Sequence, residues 1–310
     1  MRIEPVWTVR GLHKRFGAKT ALRDVDFELP SGTVLGLVGC NGSGKTTLLK
    51  CGLGLLRIDA GETRLFGEPS WHLSAAAKAR LGYVPQAMSL YPWMRVRQVI
   101  TYTAAFYQRW NHGLVAGLIN QWSLDVQARV STLSPGQTQQ LAILLALAHE
   151  PEVLMLDEPA ASLDPAARRQ LLHIVLELAS GGERTVLFAT HIISDLERVA
   201  DRIAILRNGQ IQFSGELDAL KDHVKRLHVT ARESLPPTLS VPGTLREDVQ
   251  GPEGAVSVWG FTADLVTRLE QRYHAHVDVY DLNLEDIFLE LHQEEQVEQA
   301  LGAVGQRTAT

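Results

Sequence analysis

Apolar and polar residues alternate one by one in two early stretches, Val6–Val9 and Val25–Leu29. That period of two predicts half-buried antiparallel strands. Val34-Leu35-Gly36-Leu37-Val38 is instead a short continuous apolar run, the pattern of a strand buried on both faces in a parallel sheet. Strand character returns at 61–66 and 81–84. From about 96 to 150 the rhythm becomes helical, with Trp110, Leu114, Leu118 and Trp122 spaced by about one turn. Val153-Leu154-Met155-Leu156 predicts another buried strand, and Thr185–Ala189 and Arg202–Leu206 two more, with helical stretches at 165–179 and 194–200. Strands alternating with helices predict a largely parallel α/β sheet.

The pattern changes after residue 220. The stretch 233–254 carries Pro236, Pro237, Pro242 and Pro252 among several glycines and predicts a loop or linker. Strand-like runs at 224–231, 255–259 and 276–280 and helical patterns at 262–272 and 284–291 surround it. The expected organisation is a domain over 1–220, a small C-terminal α/β domain over 221–291, and a frayed polar tail over 292–310.

Composition narrows the class of protein. The chain has 310 residues, enough for one large or two modest domains, and a formal net charge of −5. An acidic balance argues against a general nucleic-acid binder. Two cysteines, Cys40 and Cys51, cannot build a disulfide framework and fit a reducing cytoplasm. Met1-Arg2-Ile3-Glu4-Pro5 has no apolar core of a signal peptide. The longest apolar run, around Leu141–Ala148, is too short to span a bilayer, so a membrane role is expected only through a partner.

The most specific chemistry lies directly after the Val34–Val38 run. Residues 39–47 read Gly-Cys-Asn-Gly-Ser-Gly-Lys-Thr-Thr, and a helix opens at Thr47-Leu48-Leu49-Lys50. Gly39, Gly42 and Gly44 allow the chain to turn tightly and aim backbone N–H groups at an anion, with Asn41, Ser43 and Thr47 in the same loop. The helix adds its positive end. Lys45 is placed to reach β- and γ-phosphates, and the Thr46 hydroxyl to bind Mg²⁺. The implied ligand is a nucleoside triphosphate.

Two further segments extend that site. The strand at 153–156 ends in Asp157-Glu158, at the strand end where ligands bind in open α/β sheets. Asp157 suits Mg²⁺ and Glu158 suits a general base facing the attacking water; alone, the pair would read as solvated acids. Leu133-Ser134-Pro135-Gly136-Gln137 precedes an apolar run. Ser134 fits an N-cap and Pro135 the first helical position, so a plain capped helix also explains it.

With the Asp-Glu strand downstream, that segment resembles the signature of ABC-type ATPases. Other elements of the family follow in order over residues 5–220. Phe16 stands where an aromatic stacks on adenine, and Gln86, in Gly82-Tyr83-Val84-Pro85-Gln86, matches the Q-loop. Ser162-Leu163-Asp164 matches the D-loop, and His191, after Val186-Leu187-Phe188-Ala189-Thr190, matches the switch histidine. The resemblance implies a P-loop fold of ABC type: a parallel-sheet core, an antiparallel β subdomain and a helical subdomain at about 87–150.

It also implies a dimer, either of two copies or with a related ATPase subunit, in which ATP lies between the cradle of one unit and the signature of the other. Ser134, Gly136, Gln137 and Asp164 would then bind nucleotide at the shared site. Glu158 would activate water, His191 would contact the γ-phosphate, and Gln86 would sense Mg²⁺. The implied role is the ATPase of a transporter at the cytoplasmic face of the membrane, driving a separate integral-membrane permease. Glu285-Asp286-Ile287-Phe288-Leu289 resembles the ending of ATPase subunits of type 2 exporters and favours export. A nucleotide-gated regulator with weak turnover, or a soluble ABC ATPase acting on DNA or ribosomes, stays open as an alternative.

The chain departs from the family at Pro135, usually glycine, and at Thr138-Gln139-Gln140, usually carrying a basic residue. Proline removes one amide donor, and reduced turnover is expected. Cys40 is a small residue tolerated in the loop. His274 and His276 are expected on one face of a strand as surface residues. Tyr91-Pro92-Trp93-Met94 either faces the membrane partner or packs inside the helical subdomain.

Overall fold

The computed structural model describes residues 4–291. They form two compact units divided between Gly215 and Glu216. The division precedes the change in composition because the helix leading into the second unit already belongs to it.

The first unit opens on β1 (Pro5–Phe16) and β2 (Lys19–Pro30), then β3 (Val34–Val38), α1 (Lys45–Gly52), β4 (Ala60–Leu65), β5 (Glu68–Pro69), α2 (Ala75–Ala79) and β6 (Leu81–Val84). The helical segment follows with α3 (Val96–Ala104), α4 (His112–Gln121) and α5 (Pro135–Leu147). Next come β7 (Val153–Asp157), α6 (Pro165–Ala179), β8 (Thr185–Thr190), α7 (Ile193–Val199), β9 (Arg202–Arg207) and β10 (Gln210–Glu216). The continuous helical rhythm at 96–150 thus breaks into three helices. Trp110 lies outside them, ahead of Asn111, whose side chain caps α4 by accepting from Leu114 N at 2.8 Å.

Two sheets build this unit. One is antiparallel in the order β2-β1-β4-β5, and the other runs β10-β9-β3-β8-β7-β6. In the second, β9, β3, β8, β7 and β6 are parallel neighbours in register, such as Leu35 beside Leu187 and Met155 beside Tyr83. Every residue of β3, β7 and β8 is buried, as their unbroken apolar runs require. Asn208-Gly209 turns the chain from β9 into β10 with left-handed φ of 49° and 75°, as a two-residue hairpin needs.

The two sheets meet over α1. Trp7 is fully buried, donates from Nε1 to Thr63 Oγ1 at 2.9 Å, and stands edge-on to Phe27. Its indole leaves no space beside Gly52, where an added Cβ would lie 2.2 Å from the ring.

The second unit contains α8 (Leu217–His223), β11 (Val224–Ala231), β12 (Thr244–Gln250), β13 (Glu253–Trp259), α9 (Ala263–Tyr273) and β14 (Ala275–Asp281), and is helical again at 284–291. Its sheet is antiparallel, in the order β12-β13-β11-β14. Leu227, Val229, Val256 and Val258 form its core with Leu265 and Leu269 of α9. Arg226 forms an ion pair with the buried Glu290.

Two expectations change here. The Pro- and Gly-rich stretch 233–254 contains β12, whose alternation of half-buried and exposed residues gives little apolar signal. His274 does not share a strand face with His276. It ends α9 in the left-handed conformation, φ 47°, and only His276 lies in β14. The expected tail at 292–310 lies outside the described residues.

Replacing Gly52 with Ala forces its methyl against Trp7, and overpacking of this kind costs about 1–3 kcal/mol. Urea unfolding of Gly52→Ala should show that loss with an unchanged slope; full stability would contradict the packing of α1 under β1.

Candidate functional site

The loop after β3 has the backbone its glycines predict. Gly42 and Gly44 take left-handed φ of 84° and 112°, and Gly44 is the residue that starts α1. At Gly39 the constraint is contact, since a Cβ there would lie 2.4 Å from both Leu206 O and Ser43 Oγ. Asn41 and Cys40 are exposed at the mouth of the loop, while Ser43 is buried with a hydroxyl that has no hydrogen-bond partner. Lys45, 5% exposed, donates from Nζ to Gly39 O at 2.6 Å and bends across its own loop. Thr46 Oγ1 donates to Asp157 Oδ1 at 3.0 Å, and Thr47 follows on α1.

The ends of β7 and β8 complete the cluster. Glu158 is 4% exposed and held at a left-handed φ of 50°, an uncommon conformation for a non-glycine residue. One carboxylate oxygen, Oε1, lies 3.2 Å from Lys45 Nζ. The other, Oε2, accepts from His191 Nδ1 at 2.7 Å, from the His191 N–H at 3.3 Å and from Thr190 Oγ1 at 3.3 Å. A buried carboxylate is tolerated only when paired and hydrogen-bonded, and this one is both.

Beside it, burial raises the pKa of Asp157 above the ordinary carboxylate range, with the Thr46 hydrogen bond opposing that shift. Its Oδ2 is buried without a hydrogen-bond partner. Burial and the neighbouring Asp157 also push the Tyr83 hydroxyl well above its usual value.

The other expected residues occupy two places. Gln86 is exposed just past β6, and Phe16 is exposed at the end of β1 with the Lys14 ammonium 5.4 Å from its ring centroid. Ser134 caps α5. Its Oγ accepts from Gln137 N at 3.2 Å, and Gln137 Oε1 accepts from Ser134 N at 3.0 Å, a reciprocal capping box. Gly136 packs close to Ser162, whose carbonyl would lie 3.1 Å from an added Cβ. Asp164 caps α6 by accepting from Ala166 N and Ala167 N at 2.8 and 2.9 Å. The hydrogen bonds of Ser134 and Gln137 therefore close on one another, whereas those of Lys45, Thr46, Glu158 and His191 converge on a single cluster.

Some contributors gave no signal in the sequence. Thr190 supports Glu158 and also accepts from Ile192 N at 3.0 Å, which fixes the turn carrying His191. Arg168 of α6 binds both oxygens of the buried Asp195 on α7 at 2.7 and 2.8 Å, and so ties the histidine loop to the helix capped by Asp164. Both contacts join segments distant in sequence, and only the apolar run ending at Thr190 pointed near them.

Comparison with known proteins identifies the family. Residues 22–161 match the family model described as ABC transporter. The chain is 33% identical over 304 residues to Nod factor export ATP-binding protein I of Burkholderia lata, covering 94% of this chain and 98% of that protein. The chain belongs to the ABC transporter ATP-binding proteins. The same-named protein of Bradyrhizobium diazoefficiens is 32% identical, covering 91% of this chain and 94% of its own length. Among solved structures, the ATP-binding subunit of an ABC transporter superposes with a TM-score of 0.64 at 26% identity, over 70% of this chain and 92% of its own. A dimeric ATP-binding cassette in a post-hydrolysis state, bound to ADP and Pi, shares the fold with a TM-score of 0.61 at 23% identity, over 68% of this chain and 98% of its own.

This chain is accordingly an ATP-binding and hydrolysing subunit of an ABC transporter, with the ABC-type P-loop fold. No helix among the described residues is long and apolar enough to cross a membrane.

The two cysteines give a direct probe of the cradle. Cys40 is exposed in the loop, whereas burial pushes the Cys51 thiol up to about 11. At pH 8 only about one Cys51 in a thousand is a thiolate, the reactive form. Maleimide should therefore modify Cys40 alone, and ATP should slow that labelling. Equal labelling of both thiols, or no protection by nucleotide, would contradict this placement.

Proposed function

We propose that this protein powers an exporter. It would hydrolyse Mg²⁺-ATP between two ATPase copies, or between itself and a related subunit, and move a separate integral-membrane permease from its cytoplasmic face. Support for export comes from the Nod factor export relatives, whose similarity extends over nearly the whole chain, the second unit included. A dimeric relative of the same fold supports the pairing.

The observation that carries the chemistry is the fixed Glu158 carboxylate. Held by Lys45, Thr190 and His191, it can accept a proton from water as that water attacks the γ-phosphorus and the bond to the ADP oxygen breaks. Lys45 and the N-terminal end of α1 offset the phosphate charge, and His191 is placed to contact the γ-phosphate.

Mg²⁺ fits the residues present. The Thr46 hydroxyl and the buried, partnerless Asp157 Oδ2 stand together at the cradle, with Gln86 at the end of the adjacent strand. Few protein ligands are needed, because Mg²⁺ in such sites is completed by phosphates and water. When bound, the ion neutralises charge on the phosphates.

Pro135 shapes the half supplied to the opposite copy. It has no N–H, and the Gln137 N–H is already taken by Ser134, so the Gly136 N–H is left free in the first turn to meet an anion. The Ser134 hydroxyl proton is a second donor. The lost amide favours a second reading, a regulator in which ATP controls assembly while turnover stays slow, and hydrolysis measured with and without permease separates the two. The second unit, a compact body built on one antiparallel sheet, suits dimerisation or regulation.

Lys45→Ala should abolish ATP binding. Glu158→Gln should retain binding, lose about 10²–10⁴ in turnover, and elute at twice the chain mass with Mg²⁺-ATP. Undiminished hydrolysis in the glutamine variant would remove Glu158 from the role of base.

A further inference from the structure

Three residues before Gln86 stands a tyrosine whose hydroxyl packing does not explain. Tyr83 lies on β6 and pairs in register with Met155 of the parallel strand β7. Side chains alternate along a strand, so Tyr83, Met155 and Asp157 leave the sheet on one side. That is the side covered by α1, because Met155 belongs to the buried cluster of Leu48 and Leu49 and Tyr83 packs against it. Thr46 of α1 reaches Asp157 there too. A phenylalanine would bring the same apolar ring to this place.

The hydroxyl itself is buried and has no hydrogen-bond partner among the described residues. Such a group is unfavourable, and native proteins keep few of them. Asp157 presents the matching atom. Its Oδ1 accepts from Thr46 Oγ1 at 3.0 Å, whereas Oδ2 is buried and partnerless. Asp157 is the residue whose charge acts on the Tyr83 hydroxyl, yet the two stop short of a formed bond. An unsatisfied donor therefore stands beside an unsatisfied acceptor, and the acceptor belongs to the carboxylate suited to Mg²⁺.

We infer that Tyr83 is a positioning residue for Mg²⁺, its hydroxyl donating to Asp157 Oδ2 and holding that carboxylate in the orientation the ion needs. This rests on the proposed Mg²⁺ site and adds the residue that sets its affinity. Thr46 from α1 and Tyr83 from β6 then hold the two oxygens separately, which stops the carboxylate from turning. An ionised carboxylate oxygen accepts more than one partner, so a bond from the phenol leaves Oδ2 able to serve the ion as well. Outer hydrogen bonds of this kind orient metal ligands and tune their affinity. The phenol itself touches neither ion nor nucleotide. Gln86 follows at the end of the same strand, so one short element places both groups at the ion.

The test measures binding of N-methylanthraniloyl-ADP to the full chain by fluorescence, once with excess Mg²⁺ and once with EDTA. The ratio of the two affinities is the gain supplied by the ion. Tyr83→Phe should cut that gain about tenfold, as loss of an outer hydrogen bond to a metal ligand does, with affinity in EDTA unchanged. In an Asp157→Asn chain, adding Tyr83→Phe should change nothing further, because the shared contact is already gone. Hydrolysis by Tyr83→Phe should need more Mg²⁺ and reach the wild-type rate once the ion saturates. A full or increased gain in Tyr83→Phe, beside a normal gain in wild type, would overturn the positioning role alone. Equal weakening with Mg²⁺ and with EDTA would make the hydroxyl merely structural and overturn it too. A wild-type chain whose affinity ignores Mg²⁺ would overturn the Mg²⁺ reading beneath it.

Discussion

Everything at the nucleotide site depends on one buried ion pair, Lys45 against Glu158, with 6% and 4% of the two side chains exposed. Neither charge is tolerable there alone, because removing one partner of such a pair costs about 3–5 kcal/mol. The pair therefore requires the loop after β3 and the end of β7 to close on each other, although β8 lies between those strands. Thr190 and His191, at the end of β8, fill the intervening position and take the second carboxylate oxygen. Three parallel strands end at one edge, and the parallel register makes the ends coincide.

Helix starts distribute the remaining work. The turn opening α1 needs left-handed glycine and leaves its amides to the cradle. At α5 the Ser134–Gln137 box satisfies the turn internally and leaves one amide and one hydroxyl facing outward. Asp164 caps α6 through one carboxylate oxygen, which fixes the loop beside Gly136. The proposed pairing of two copies accords with this division, because the cradle cluster gathers in one place while the side chains of Ser134 and Gln137 bond within their own helix start.

Much of this was legible in the sequence because local constraints dictated it. The strand, glycine loop and helix at 34–52 follow from an apolar run, positions that demand glycine, and one cap. Ser134 announces its helix for the same reason. The limits were equally physical. Periodicity at 96–150 could not show where α3 gives way to α4, since Asn111 caps α4 through a side-chain bond. β12 escaped because a half-exposed edge strand carries few apolar residues. Thr190 and the Arg168–Asp195 pair act across chain distances that no spacing rule reaches, and Tyr83 meets Asp157 only once β6 and β7 are folded side by side.

The most direct test of a site shared between copies is complementation by mixing. A Lys45→Ala chain keeps a sound signature, and a Ser134→Arg chain keeps a sound cradle, yet neither can build a complete site with itself. Mixed in equal amounts with permease and Mg²⁺-ATP, they should regain hydrolysis through heterodimers that each contain one intact site. A mixture as inactive as its separate components, while heterodimers demonstrably form, would contradict the shared site.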